Sequence, residues 1–346
     1  VDSAVTAVPA FARDRAQAHR NGGWELAFLS RRSVVGVVLR RVALAVPLLV
    51  AVSGLSFVLV SVTPGDAARQ IVGVNASQAT YLSVRKELGL NLPVYTQYWH
   101  WLTHAIHGDL GTSLLTGQAV GQTISSRLPV TIALVGVALL VSLVVGVALG
   151  VASAVRGGVL GRAIDAFALL GFAFPVFWVG AILIAVFAVK LGWFPASGYV
   201  PISESVGQWL SSFALPALAL SLGGIAAMAK QTRESMLDVL GSEYIRMVRA
   251  SGLAPSSIVL RHALKNAAAP VLTVLGVQAV GLLGGTILVE NVFALPGLGS
   301  LVVSATLGHD LPVVEGVAVV FTLIVVAVNL AIDIGYTLLN PRIDTR

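Results

Sequence analysis

Long apolar stretches recur along the chain at lengths that suit a bilayer better than a water-surrounded core. An α-helix needs about 20 apolar residues to cross a hydrocarbon layer of roughly 30 Å. Six segments meet or approach that length, at about 42–62, 131–154, 166–189, 213–229, 268–289 and 316–338. The first five carry no Asp, Glu, Lys or Arg, and the sixth carries one acid, Asp333. The pattern predicts an all-α integral membrane protein with six transmembrane helices. The fourth segment is the shortest, because its apolar run stops at Lys230.

The polar stretches between these segments give the orientation. With a cytoplasmic N-terminus, the arm through Arg41, the 155–165 loop, the 230–267 loop and the tail after 338 hold 17 of the 22 Lys and Arg residues. The outside then holds Arg69, Arg85, Lys86, Arg127 and Lys190. Basic residues gather on the cytoplasmic side of membrane proteins, so both termini are expected inside. The expected organisation is a cytoplasmic N-terminal extension (1–34), a first transmembrane helix (35–62), an extracytoplasmic helical insertion (63–130), a core of five transmembrane helices (131–338) and a cytoplasmic tail (339–346). In the insertion, 78–88 and 94–107 read as short amphipathic helices separated by Gly89-Leu90-Asn91-Leu92-Pro93. The inside loop 230–267, between spans four and five, reads as one or two short helices broken at Gly252 and Pro255. Gly146 with Gly150, and Gly281 with Gly285, have the GxxxG spacing that permits close helix approach, although small residues are common in membrane helices anyway. Pro175 and Pro216 stand inside or at the start of spans, where kinks are tolerated.

Composition agrees with the pattern. Only 11% of the 346 residues are charged, 56% are hydrophobic and the mean hydropathy is +0.89, whereas a soluble domain carries roughly 25% charged residues. The net charge of +6 does not point to nucleic acid, because its position follows the loops. The absence of cysteine removes disulfides, thiolate metal sites and thiol catalysis. Residues 1–33 have no apolar core followed by a small-residue cleavage site, so no secretory signal peptide is expected there.

Several chemistries are disfavoured. Ion-coupled transporters keep ionisable side chains at membrane depth, and here only Asp333 lies within a span, near its inner end, where pairing with an Arg or the interface accounts for it. None of the four lysines stands in a Gly-rich phosphate-binding loop. An intramembrane enzyme would need a base or metal ligands at depth, and no such motif is present. His100, His104 and His107 fall on one face of a predicted outside helix and are the one candidate metal cluster; an amphipathic surface helix is the preferred explanation, and no metal site is expected. Gln278, Thr273 and Asn329 are polar residues within spans and are nominated for the substrate path, with an interhelical hydrogen bond as the competing role for Gln278.

The loop between spans four and five carries Ser242-Glu243-Tyr244-Ile245-Arg246-Met247-Val248-Arg249-Ala250-Ser251-Gly252-Leu253, then Leu260-Arg261-His262-Ala263-Leu264-Lys265-Asn266. A basic helix of this kind docks into a partner's groove or rests on anionic headgroups. The stretch resembles the coupling loop of binding-protein-dependent ABC permeases. It lacks most of the general pattern, because Arg246, Met247 and Val248 stand at the Glu-Ala-Ala positions and Lys265 at the Pro position. It is similar instead to the dipeptide and oligopeptide branch, with its Tyr-Ile-Arg-x-x-Arg-Ala-x-Gly-Leu string. The resemblance runs over roughly 35–343 and includes Thr63-Pro64-Gly65-Asp66, Gly108-Asp109-Leu110-Gly111 with Ser113, Glu290, Pro296-Gly297-Leu298-Gly299, Asp310 with Pro312, and Pro341-Arg342. Asn91 and Asn340 stand where the family often has Asp.

The resemblance implies the pore-forming subunit of an ATP-driven importer of di- or oligopeptides in a prokaryotic inner membrane. Its partners would be a second homologous permease chain, two ATP-binding subunits and an extracytoplasmic substrate-binding protein. ATP and Mg would be bound by the ATPase chains, and no cofactor by this one. Glu243, Tyr244, Arg246, Arg249, Ala250, Gly252 and Leu253 would couple to the ATPase. Nickel, haem, glutathione or oligosaccharide import is the alternative within the same architecture. An intramembrane enzyme or a structural scaffold is the alternative outside it.

Overall fold

The computed structural model describes residues 11–73 and 75–339. They form helices and connecting loops, with no strand among the described residues. Residues 1–10 of the N-terminal extension and 340–346 of the tail, including Asn340 and Pro341-Arg342, lie outside them.

The helices are α1 (Phe11–Val62), α2 (Ala67–Val72), α3 (Gln78–Glu87), α4 (Val94–Ala105), α5 (Val120–Arg156), α6 (Gly158–Ala173), α7 (Val176–Leu183), α8 (Val206–Leu240), α9 (Glu243–Ala250), α10 (Pro255–Ser257), α11 (Leu264–Val292), α12 (Leu298–Leu307) and α13 (Leu311–Leu339). A π-helical turn extends α7 over Ile184–Lys190, and another, Ile258–Ala263, joins α10 to α11. Five helical stretches are long and apolar enough to cross a membrane: Val38–Val62, Val120–Arg156, Val206–Leu240, Pro255–Val292 and Leu311–Gly335. They contain four of the six segments read from the apolar pattern and most of a fifth, 316–338. The remaining one, 166–189, is broken. Helix α6 ends at Ala173 and Pro175 stands at the N-terminal cap of α7. Proline has no N–H to give and disfavours helical backbone in the residue before it, so one apolar run becomes two helices.

The fourth segment becomes α8, the most enclosed of the spans. In its most apolar stretch 72% of residues are buried inside the protein, against 11% for α13. Its face is built of small and hydroxyl residues, among them Ser212, Ser221, Gly224, Ala226, Ala229 and Thr232. Such residues suit helix–helix contact better than lipid, and the helix runs on to Leu240, past the Lys230 at which the apolar run stops. Two glycines of α5 show how close the approach is. A Cβ on Gly146 would stand 2.5 Å from Met228 Cβ, and one on Gly150 would stand 2.6 Å from the Ala229 carbonyl oxygen. Of the second GxxxG pair, Gly285 has a close neighbour in Leu220, but Gly281 is spacious. The main core gathers Leu134, Phe213, Leu220, Leu283 and Phe293 from α5, α8, α11 and the turn after α11.

After the first span come α3 and α4 with the Gly89–Pro93 turn between them, and residues 120–130 of the expected insertion belong to α5. Asp66 caps α2 through Ala68 N–H (2.8 Å), receives the Tyr81 hydroxyl (2.7 Å) and lies 3.6 Å from Arg85 Nε. The Asp66 carboxylate stabilises the protonated phenol and so raises the Tyr81 pKa above its ordinary value. Helix α4 lies along α1: the Tyr98 hydroxyl is 3.0 Å from Ser53 Oγ and donates to the Val50 carbonyl at 3.2 Å. Asp333 pairs with Arg41 across α1 and α13 at 2.6 Å. A half-exposed charge is thereby neutralised near one end of both spans.

Candidate functional site

Helix α9 is short but firmly terminated. Ser242 is its N-cap, Glu243 lies in the first turn and Arg249 in the last, each of a sign that favours the helix dipole. Gly252 ends the helical segment with φ +78°, and its N–H bonds the Arg249 carbonyl. A Cβ there meets nothing within 4 Å, so the requirement for glycine is the backbone angle and not space.

One side chain anchors α9 to the membrane domain. Ile245 is fully buried with Met236 of α8, Ile258 and Ala263 of the π turn and Ala267 of α11. Burying an Ile side chain stabilises by roughly 1.5–3 kcal/mol. A second tie is polar: the Tyr244 hydroxyl lies 2.8 Å from His262 Nδ1. Val248 packs half-buried against the same cluster, and most of the remaining helix faces outward. Glu243, Arg246, Met247, Arg249 and Ala250 are exposed, as are Gly252 and Leu253 beyond its end. All seven residues nominated for coupling therefore lie on one short element and its exit, joined rigidly to α8 and α11. The anchoring role of Ile245 and the Tyr244–His262 contact were not read from the sequence, although the apolar residue inside a basic string was the available signal.

The nominated path residues do not converge. Gln278 Nε2 lies 3.4 Å from the Gly223 carbonyl of α8, the interhelical contact considered for it. Thr273 and Asn329 bond carbonyls of their own helices, those of Ala269 and Val325. His104 Nδ1 turns back to the His100 carbonyl and His107 Nδ1 to the Thr103 carbonyl, one turn earlier in each case. Among the described residues no three His, Cys, Asp or Glu side chains are placed to hold a metal.

The sequence strings far from α9 meet one another in space. Glu290, at the end of α11, is completely buried. Thr131 of α5 donates to its Oε1 at 2.7 Å, and the Ser300 N–H donates to its Oε2 at 3.0 Å. Thr131 also accepts the Leu298 N–H at 2.8 Å. The carboxyl and the hydroxyl together satisfy orphan N–H groups at the start of α12. Pro296-Gly297-Leu298-Gly299 wraps this pair so tightly that a Cβ on Gly297 would overlap the Glu290 carboxyl, and one on Gly299 would stand 2.6 Å from Ile287 Cα. Likewise Ser113, beyond the Gly108–Gly111 string, donates to Asp310, which also accepts the Leu114 N–H at 3.0 Å. Glu315 of α13 is completely buried and accepts from Ser56 of α1 at 2.7 Å. These acids tie loops and spans together.

Comparison with known proteins agrees with this arrangement. Residues 142–345 match the family described as binding-protein-dependent transport system inner membrane component, and residues 34–135 match its N-terminal region. The chain is 42% identical to a peptide transport system permease protein of Brucella abortus, over 90% of this chain and 99% of that one. It is 40% identical to a peptide ABC transporter permease protein of Sinorhizobium fredii, over 88% and 98% of the two chains. A glutathione transport system permease protein of Salmonella typhimurium is 38% identical over 90% of this chain and 99% of its own. In fold, a chain of the methionine ABC transporter MetNI in inward-facing conformations superposes with a TM-score of 0.53 at 20% identity, covering 63% of this chain and 96% of that one. The chain therefore belongs to the family of binding-protein-dependent transport system inner membrane components, and is a multi-pass transport permease of the bacterial inner membrane.

Proposed function

We propose that this chain is the pore-forming permease subunit of an ATP-driven importer of di- or oligopeptides. The observation that carries the mechanism is α9: an amphipathic helix held by buried Ile245, with a basic, exposed outer face. Six spans with both termini in the cytoplasm, the broken α6–α7 segment counted as one, put that face inside the cell. There it docks into a groove of an ATP-binding subunit. Two such subunits, a second homologous permease chain and an extracytoplasmic substrate-binding protein complete the assembly. ATP and Mg are held by the ATPase chains.

Coupling is then a rigid-body matter. A displacement of α9 passes through Ile245 and the Tyr244–His262 contact to α8 and α11, and the spans rock between outward and inward access. The insertion 63–130 meets the binding protein. Gln278, Thr273 and Asn329 stay candidates for the path, Gln278 with a packing role already visible. Peptide as substrate rests on the relatives from Brucella and Sinorhizobium, and glutathione, itself a small peptide, on the one from Salmonella.

The test is uptake in proteoliposomes holding the complete transporter and its binding protein. ATP-dependent accumulation of labelled di- or tripeptides, competed by other peptides, is the expected result. Accumulation of nickel, haem or an oligosaccharide with no peptide uptake would refute the substrate reading.

A further inference from the structure

Helix α5 ends in two adjacent rows of side chains four residues apart. One is Leu143, Val147, Val151 and Val155; the other is Val144, Ala148, Ala152 and Arg156. Both rows line one wall of an apolar groove of about 720 Å³, whose other wall is Pro255, Val259, Leu260 and Leu264. From Leu143 to Arg156 is roughly 20 Å along the helix. One leaflet of hydrocarbon is about 15 Å deep, so the groove is long enough for the acyl chain of a single leaflet, with Arg156 at one end.

That end is positively charged and opens onto a second cavity of about 680 Å³. The two share Val155, Pro255 and Val259, and the second is bordered by Arg249 and Leu253. Arg156 and Arg249 are exposed. Among the described residues neither has a carboxylate within ion-pair distance; the pairs present are Arg41–Asp333, Arg85–Asp66 and Arg233–Asp165. An apolar slot of that length, with the exposed guanidinium group of Arg156 at its end, matches an acyl chain with an anionic phosphate at its head.

We propose that this groove is a binding site for one anionic phospholipid of the cytoplasmic leaflet, with an acyl chain between α5 and the α10–α11 junction and its phosphate at Arg156. The proposal uses the orientation given above only to choose the leaflet. A basic residue near an anionic surface contributes about a 5-fold gain in association.

The test uses the complete transporter in nanodiscs. The chain has no cysteine, so Val145→Cys, which does not line the groove, takes a single fluorophore when this chain is labelled before assembly with its partners. Quenching by a chain-labelled nitroxide phosphatidylglycerol is compared with that by the matching phosphatidylcholine at equal mole fraction. The expected result is at least about a 5-fold preference for phosphatidylglycerol, reduced about 5-fold by Arg156→Gln and abolished by Ala148→Trp, which fills the groove. Equal quenching by the two lipids would overturn the site. So would quenching by neither, which would mean that protein covers the groove, or a preference untouched by both substitutions. None of these results depends on transport, so the lipid site and the importer reading fail separately.

Discussion

Replacing Thr131 by Val tests the three-way junction at Glu290 with almost no change of shape. The hydroxyl now donates to Glu290 Oε1 at 2.7 Å and accepts the Leu298 N–H at 2.8 Å, and Thr131 and Glu290 are both completely buried. Val supplies neither interaction, and the site is too enclosed for solvent to replace them. An unsatisfied buried group costs about 1–3 kcal/mol, so two of them cost about 4 kcal/mol. Thr131→Ser keeps the hydroxyl and loses one methyl, a cost of about 1 kcal/mol. Gly297→Ala approaches the same junction from the other side. Its backbone (φ −102°) permits Ala, so its cost of about 1–3 kcal/mol is overlap with the carboxyl alone. Equilibrium unfolding of the purified chain in mixed micelles with rising SDS reads all three. If Thr131→Val were as stable as Thr131→Ser to within about 0.5 kcal/mol, the junction would not be held as described.

Two further predictions concern helix contact and coupling. Gly150→Val puts side-chain atoms into the Ala229 carbonyl and Thr232 of α8; it should lower the yield of folded chain severely, while Gly136→Val, where a Cβ meets nothing within 4 Å, should not. Gly252→Val forces a β-branched residue to φ +78° at the exit of α9; peptide transport should fall at least 10-fold while the assembled complex still hydrolyses ATP, and normal transport would count against the coupling role.

The apolar pattern located most of the spans because lipid-facing residues must be apolar wherever they fall, as in α5 and α13. It undervalued α8, whose Ser212, Ser221 and Thr232 face other helices. It also ran across Pro175, because apolar content alone does not register a lost N–H. The α9 string was legible as a helix with a glycine stop, since Ser242 and Gly252 are local signals. What Glu290, Ser113 and Asp310 do was not legible, because their partners are brought in by folding: Thr131 lies 159 positions from Glu290, and Asp310 lies 197 from Ser113. For His100, His104 and His107 the sequence offered only a shared spacing. Shared spacing put them on one face, and the nearest backbone carbonyls then took the ring nitrogens of His104 and His107.

The most direct measurement of the central claim is recovery of the tagged chain from native membranes in mild detergent, with every co-purifying protein identified. The account predicts a second homologous permease chain and one or two proteins bearing phosphate-binding loops, with the latter proteins lost when residues 242–254 of this chain are scrambled. Recovery of the chain alone or as a homo-oligomer, from an extract in which other membrane complexes survive, would contradict it.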